Sequence, residues 1–275
     1  MIFKDVMPSP SLQHLLQCYR LRHYVIPEAR LAVQKPFPAR PEQCIAFYPI
    51  GAEVTEIYPQ MEKFLKPRSV LSGQYTCRIN RYSATTEMLM IQVVFKPGML
   101  HKLTGIPFSE LLNQHIDLEN IFPRQARATN ERLSSTSAYD EMIFIVEQFL
   151  SEISIYQKET LPADIIFQKI ADSPEKYPLK WLAGQACLSP RQFERKSKQY
   201  IGTNPHLLAR ISRFNQSYLL KLQHPDMDWL SIAVACGYHD YQHLVRDYKE
   251  FAHTTPNRLF SEEANTIERF LGLNR

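Results

Sequence analysis

The 275-residue sequence has no C-x-x-C pair, no H-x-H pair, no low-complexity segment and no apolar run near the roughly 18 residues that a membrane span needs. Each absence excludes something. The cysteines, Cys18, Cys44, Cys77, Cys187 and Cys236, are odd in number and scattered, which argues against a disulfide framework or a zinc ribbon and fits a reducing compartment. The opening stretch "MIFKDVMPSPSLQHLLQCYR" lacks the apolar core of a secretory leader. The expected location is therefore the cytoplasm, with no membrane as partner. His14, His23, His101 and His115 are too dispersed for a metal-binding barrel, so neither metal nor cofactor is expected. A net charge of +4 implies no anionic partner by itself. The composition, 44% hydrophobic and 22% charged, is that of an ordinary globular protein, and the length accommodates two domains.

What is present falls into two textures. Up to about residue 105 the chain is broken by prolines, with short β-leaning runs between them: "QCIAFYPI", "VTEIY", "SVLSGQYTCRI" and "MLMIQVVFKPG". Many short apolar runs bounded by turn residues indicate a barrel or sandwich. From Pro107 the pattern turns helical: "PFSELLNQH" places proline at a helix start. In "SAYDEMIFIVEQFLSEISIYQ", Met142, Val146, Phe149 and Ile153 share one helical face. That stripe reads as packing within the domain, with a dimer face as the alternative. The polar stretch 157–162, "QKETLP", is the expected linker. Helices are expected over 163–172, 178–187, 190–201, 204–223, 228–236, 240–252 and 256–268. The predicted fold class is α+β in two domains: a β-rich barrel or sandwich with flanking helices over 1–156, and an all-α unit over 163–275.

The all-α unit contains a repeat. "RKSKQYIGTNP" (195–205) and "RDYKEFAHTTP" (246–256) both read R-x-x-K-x-aromatic-x-x-T-x-P. Each copy is preceded by a short apolar helix headed by Trp181-Leu182 or Trp229-Leu230, then by a brief turn. Ser189 and Asp240 are N-cap residues, and Pro190 follows its cap at the first helical position. Gly237 falls in the second turn, where positive φ is wanted, and Leu188 takes the matching place in the first. Helix, tight turn, helix is the shape of a helix-turn-helix, whose second helix enters the DNA major groove.

On the second helices, Arg191, Glu194 and Arg195 share a face in copy one, and Gln242, His243, Val245 and Arg246 are their counterparts in copy two. Leu244 points inward. Arginine pairs bidentately with guanine, glutamine with adenine, glutamate accepts from cytosine, and valine can touch a thymine methyl. Lys198 and Lys249 complete the candidate DNA-binding set as phosphate contacts. Between the copies, residues 204–223 carry Leu207, Leu208, Ile211, Phe214, Tyr218, Leu219 and Leu222 on a broad stripe. Such a helix is a rod of about 30 Å, close to the ~34 Å repeat of successive major-groove faces. Residues 189–221 carry Arg191, Arg195, Lys196, Lys198, Arg210, Arg213 and Lys221 against Glu194 alone, whereas acids outnumber cations over 226–258. The first unit is therefore expected to anchor the protein electrostatically.

These motifs resemble the AraC/XylS family of bacterial transcription regulators. The carrying elements are "LSPRQFERKSKQYIGTNP", Arg213 in the connector, "IAVACGYHDYQHLVRDYKEF" and "TTP". The resemblance implies a tandem helix-turn-helix joined by a long linker helix, with Arg195 and Arg246 as groove arginines. It departs from the family pattern at three places. Ser197 stands where an aromatic is usual, His253 stands where copy one has Gly202, and Leu244 replaces a phenylalanine. The stretch "IQVVFKPGMLHKLTGIPFSELLNQHIDLENIF" resembles the cupin-like sensor domains attached to such regulators. The implied function is sequence-specific regulation of transcription rather than catalysis. The implied partners are double-stranded DNA, RNA polymerase, a small-molecule effector and a second copy of the chain.

Other signals have plain readings. His239, His243 and His253 lack a ligand-spaced carboxylate or cysteine and read as surface or turn residues. Cys187 and Cys236 read as equivalent small residues near helix ends, and Trp181 and Trp229 as core or half-core anchors. Cys44, Tyr48, Tyr58, Tyr75 and Tyr82 are candidates to line a barrel pocket, against ordinary packing. Two rivals stand beside the sensor reading: an N-terminal domain that only dimerises or binds a protein partner, and a methyl-accepting repair enzyme. For the latter, Cys18 has Arg20, Arg22 and His23 nearby but no acceptor motif.

Overall fold

The computed structural model describes residues 1–31, 33–154, 160–174 and 177–272. Among these residues, ten antiparallel strands make two sheets. The larger runs β1 (Ile2–Val6), β2 (Leu16–Val25), β9 (Glu87–Phe95), β4 (Gln43–Ile50), β7 (Ser69–Ser72), β10 (His115–Asp117). The smaller runs β3 (Lys35–Phe37), β8 (Ile79–Ser83), β5 (Glu53–Ile57), β6 (Glu62–Leu65).

The pleat sorts side chains by a period of two. Along β9, Leu89, Ile91, Val93 and Phe95 enter the main core, while Met90 and Gln92 face the smaller sheet. On β4, Ile45 and Phe47 alternate in the same way with Cys44, Ala46 and Tyr48. A register shift between Leu16 and Cys18 lets both Leu16 and Tyr19 of β2 enter the main core despite their odd spacing.

Helices α1 (Met99–Thr104), α2 (Leu118–Ile121), α3 (Pro123–Ser135) and α4 (Tyr139–Ile153) accompany the larger sheet. Met142, Val146, Phe149 and Ile153 of α4 are all buried in the core, with Phe149 edge-to-face on Phe47 at 5.5 Å. The stripe packs within the domain. The helix expected over "PFSELLNQH" is absent: a single 3-10 turn at Phe108–Glu110 leads into β10. Its main chain is claimed by the sheet instead, for Gly73 N–H donates to Gln114 O and Asn113 N–H to Gln74 O. A proline at the head of a segment does not outweigh such pairing.

The C-terminal helices are α5 (Pro162–Asp172), α6 (Leu179–Gln185), α7 (Pro190–Ile201), α8 (Pro205–Gln223), α9 (Trp229–Ala235), α10 (Tyr241–Phe251), α11 (Pro256–Glu263) and α12 (Ile267–Phe270). The last expected segment is thus split in two. The expected linker lies between α4 and α5, and its residues 157–159 fall outside the described residues. Two small cores form around α8. Leu208 joins Phe167, Phe193 and Tyr200 in the first, and Ile211, Phe214 and Tyr218 join Tyr248, Phe251 and Leu259 in the second. The stripe on α8 is narrower than expected, since Leu219 is 36% exposed. The C-terminal end of the helical domain returns to the β domain through α12, where Ile267 packs with Tyr24, Ile26 and Met88.

Candidate nucleic-acid interface

In the first unit, the Ser189 hydroxyl accepts from Gln192 N–H (3.3 Å) while Gln192 Oε1 accepts from Ser189 N–H (2.9 Å). This reciprocal cap fixes where α7 begins. Phe193 is fully buried and stacked on Phe167 at 5.2 Å, which sets the rotation of the helix. Arg191, Glu194, Arg195 and Lys198 are consequently exposed, and with Ser189 and Gln192 they line an open concavity of about 440 Å³.

In the second unit, Asp240 Oδ1 accepts from His243 N–H and from its ring Nδ1, both at 2.8 Å. These bonds hold the Asp240 carboxyl below its usual range. With Nδ1 facing a carboxylate, the His243 tautomer is set and Nε2 is left for another partner. Leu244 and Tyr248 are buried, so Gln242, Arg246 and Lys249 are exposed, while His243 and Val245 are half-buried. All nine candidate side chains thus lie on two helices, each oriented by a buried aromatic or leucine. Among the described residues no carboxylate pairs with Arg191, Arg195, Lys198, Arg246 or Lys249.

The turns correct the expected alignment. Cys187 N–H bonds Gly184 O and Leu188 N–H bonds Ala183 O, as Gly237 N–H bonds Val234 O and Tyr238 N–H bonds Ala233 O. Cys187, at φ 55°, therefore matches Gly237, at φ 69°; Leu188 matches Tyr238 instead. Cys187 and Cys236 are not equivalent, and neither are the two tryptophans. Trp229 is half-buried against Tyr248 and Phe260, its Nε1 donating to Asn257 Oδ1 at 2.6 Å. Trp181 is 39% exposed and stacks on Tyr177 at 4.6 Å, so it is not a core anchor.

The charge count also needs correction. Arg210 of α8 binds Asp247 Oδ1 at 2.7 Å and Glu250 Oε2 at 2.5 Å, and Arg213 binds Asp247 Oδ2 at 3.2 Å. Lys221 Nζ donates to the carbonyls of Pro225 and Met227. Three cations assigned to the first unit therefore serve the second, neutralising its acids or closing its turn. The electrostatic contrast between the two helix-turn-helix units is smaller than the linear count implies. No spacing rule in the sequence pointed to Asp247 as the common acceptor.

A cavity of about 30 Å³ lies between the sheets, walled by Arg40, Cys44, Tyr48, Lys66, Tyr75 and Arg81 among others. Tyr58 and Tyr82 are not on its walls: Tyr82 donates to Glu56 Oε2 at 2.9 Å, and Tyr58 stacks on His253 at 5.4 Å. Glu53 is buried beside it, bonded to Arg81 (2.6 Å to Nε), Lys66 (2.8 Å) and Tyr48 (3.1 Å). Burial alone would raise its pKa, but the two cations overcome that and hold it at about 2. Burial pushes the Cys44 thiol up, which makes it a poor nucleophile. Cys18 is itself buried in β2, with Arg20 held bidentately by Glu42 at 2.6 Å and Arg22 by Asp5 at 2.7 Å. Among the described residues no three His, Cys, Asp or Glu side chains are placed to hold a metal ion, and no helix is long and apolar enough to cross a membrane.

A helix-turn-helix domain family matches residues 182–262. The C-terminal domain is an AraC-type helix-turn-helix domain. Residues 4–117 match a second family, described as a domain of unknown function (DUF6597). No curated protein sequence matches the chain significantly. Among solved structures, ToxT from Vibrio cholerae O395 bound to (E)-4-(8-methylnaphthalen-1-yl)but-3-enoic acid is similar, with TM-score 0.51 and 10% identity over 89% of this chain and 99% of that one. Another ToxT structure from Vibrio cholerae O395 gives TM-score 0.49 and 12% identity over 90% and 99%. The AraC-like transcriptional activator CuxR gives TM-score 0.27 and 10% identity over 73% of each chain. The first of these shows a shared two-domain α+β fold along most of the chain. With its AraC-type domain, the chain is a DNA-binding transcription regulator.

Proposed function

We propose that the two units read adjacent major-groove segments of one duplex, acting on transcription by RNA polymerase, and that the N-terminal domain responds to a small acidic molecule. The observation that carries the first part is the exposure of Arg195 and Arg246 at equivalent repeat positions on helices that share one connecting rod. At 19 residues, α8 is about 28 Å long, near the ~34 Å groove repeat. Arg191, Glu194, Arg195, Gln242, His243, Val245 and Arg246 are the base-reading set, and Lys198 and Lys249 hold phosphates. Selection of bound sequences from random DNA at stated salt tests this. Two submotifs at constant separation are expected; a single submotif would refute the two-head reading.

The second part is supported by Arg40 on the cavity wall, by the excess of cations where Lys66 and Arg81 share the single carboxylate of Glu53, and by the carboxylic acid bound in a ToxT structure of the same fold. At about 30 Å³ the cavity holds about two waters, so an effector enters only as the walls part. A thermal-shift screen of aliphatic and aromatic acids is the test, because a ligand at a hundred times its Kd stabilises by about 2.7 kcal/mol. The small volume also favours the rival in which the domain only joins two copies or binds a protein. A uniformly negative screen with concentration-dependent sedimentation would select that rival.

A further inference from the structure

We propose that residues 39–43 of the N-terminal domain, "ARPEQ", are a strap that sets the position of the two reading heads relative to each other and thereby the operator spacing the protein accepts. The proposal rests on the reading that both heads engage DNA. It adds residues that touch no DNA.

Tyr200 and Phe251 are equivalent in the repeat, each five residues beyond its groove arginine. Their carbonyls lie at the C-terminal ends of α7 and α10, where helices leave acceptors unsatisfied. The N-terminal domain donates to both. Gln43 Nε2 reaches Tyr200 O at 2.9 Å, and Ala39 N–H reaches Phe251 O at 3.1 Å. The two donors are four residues apart on one segment, so their Cα atoms are separated by at most about 14 Å. One short peptide thus grips the same atom in both copies.

The strap is held firmly. Ala39 is fully buried within the core of the second head, and Gln43 is 2% exposed on β4. Pro38 and Pro41 restrict φ on either side of Arg40. The Arg40 guanidinium lies 4.1 Å over Phe37 and 5.9 Å over Tyr218 of α8, and its carbonyl accepts from Gln74 and from Glu42 N–H. Glu42 is clamped by Arg20. A second pair of equivalent contacts reinforces the grip. Gly202 and His253 both have positive φ, 93° and 50°. A Cβ on Gly202 would come within 2.8 Å of Phe108 O, and His253 stacks on Tyr58. The reading faces, carried by residues nearer the starts of α7 and α10, remain open. Phe37, Arg40, Glu42 and Cys44 also wall the inter-sheet cavity, so parting its walls moves the strap.

The test measures affinity of the full chain for its selected operator and for versions with one or two base pairs inserted between the submotifs. Two extra pairs rotate the second submotif by about 70°. The unaltered chain is expected to lose affinity steeply with insertion. In Gln43→Leu that penalty is expected to shrink by about fivefold, the worth of one hydrogen bond, while affinity for a duplex carrying one submotif stays unchanged. Gln43 Oε1 is buried without a partner, so leucine removes one unsatisfied acceptor while it takes the donor from Tyr200 O. Arg40→Gln, which loosens the strap from Tyr218, is expected to act in the same direction and serves should Gln43→Leu fail to fold. An unchanged spacing profile, or an equal loss on every duplex, overturns the strap. Failure of the unaltered chain to prefer two submotifs instead overturns the DNA reading beneath it.

Discussion

Arg210 on the connecting helix α8 and Asp247 on α10 meet at 2.7 Å, and Arg213 approaches the other oxygen of the same carboxylate at 3.2 Å. Asp247 is 3% exposed, so it is the point at which the rod and the second head are locked together. Asp247→Asn removes the charge that two guanidinium groups share. A loss of about 2–3 kcal/mol in urea unfolding is expected, in the range for a broken charged hydrogen-bond network. A loss below about 0.5 kcal/mol would mean that the lock is only a surface pair.

Arg195→Ala and Arg246→Ala are expected to weaken operator binding by about 1–3 kcal/mol each and to relax base preference at one position of the corresponding submotif. Selection experiments on each variant would locate that position. Uniform weakening without a change in preference would make them phosphate contacts.

Lys198→Ala and Lys249→Ala should each flatten the slope of log affinity against log salt by about one. The linear charge count would place more of the electrostatic work on the first head. Neutralisation of Asp247 and Glu250 by Arg210 and Arg213 leads us to expect similar slopes for the two variants. Titration at several salt concentrations gives the answer, and a flat result for Lys249→Ala alone would restore the asymmetric picture.

Ser197 occupies a site with no exposed surface and donates to Thr203 O at 2.7 Å, closing the turn after α7. Ser197→Ala should cost about 1 kcal/mol. Ser197→Tyr, which restores the aromatic found at Tyr248 in the other copy, should cost about 1–3 kcal/mol through overpacking. Thermal unfolding distinguishes them; a stabilised Ser197→Tyr would show that the site yields.

The pKa of Glu53 lies near 2 in the folded chain, against 4.5 for the free side chain. A depressed folded value means that its contribution is complete above about pH 4.5 and is lost as pH falls toward 2. Urea midpoints should drop across that window. In Glu53→Gln, stability at pH 7 should already be reduced, because Arg81 and Lys66 lose their counter-charge, and the decline between pH 4.5 and 2 should be shallower. Equal acid slopes in the two proteins would assign the transition to other carboxylates.

The helical half was largely legible because its signals are local. Caps at Ser189 and Asp240, prolines at 190, 205 and 256, and a 3.6-residue period place α7, α8 and α10 within a residue or so. The β half was legible strand by strand for β4 and β9, whose runs are apolar. It was not legible for β2, where Arg20, Arg22 and His23 interrupt the pattern with pairs to Glu42, Asp5 and Glu87. Nor could pairing order be read, since β2 joins β9 across more than sixty intervening residues. The exposed faces of α7 and α10 follow from periodicity, but the ion pairs beside them do not. Arg210 and Asp247 are 37 apart in sequence, and nothing local joins them. His253 looked like a departure from the repeat, and its ring contact with Tyr58 gives that departure a structural setting.

Lys102 and Asp164 form an ion pair with side chains 4% and 1% exposed, and Arg78 meets Glu262 at 2.6 Å. Both pairs join the β domain to the helical one. Two oil-like faces that separate must expose apolar surface to water, whereas ions drawn apart are each rehydrated, recovering much of what was lost. The joint is therefore a mixed one, since Ile267 also packs against Tyr24, Ile26 and Met88 and Ala39 is buried in the core of the second head. Because Lys102 and Asp164 are buried, dissolved salt screens them little, and parting the two domains would wet apolar side chains as well as ions.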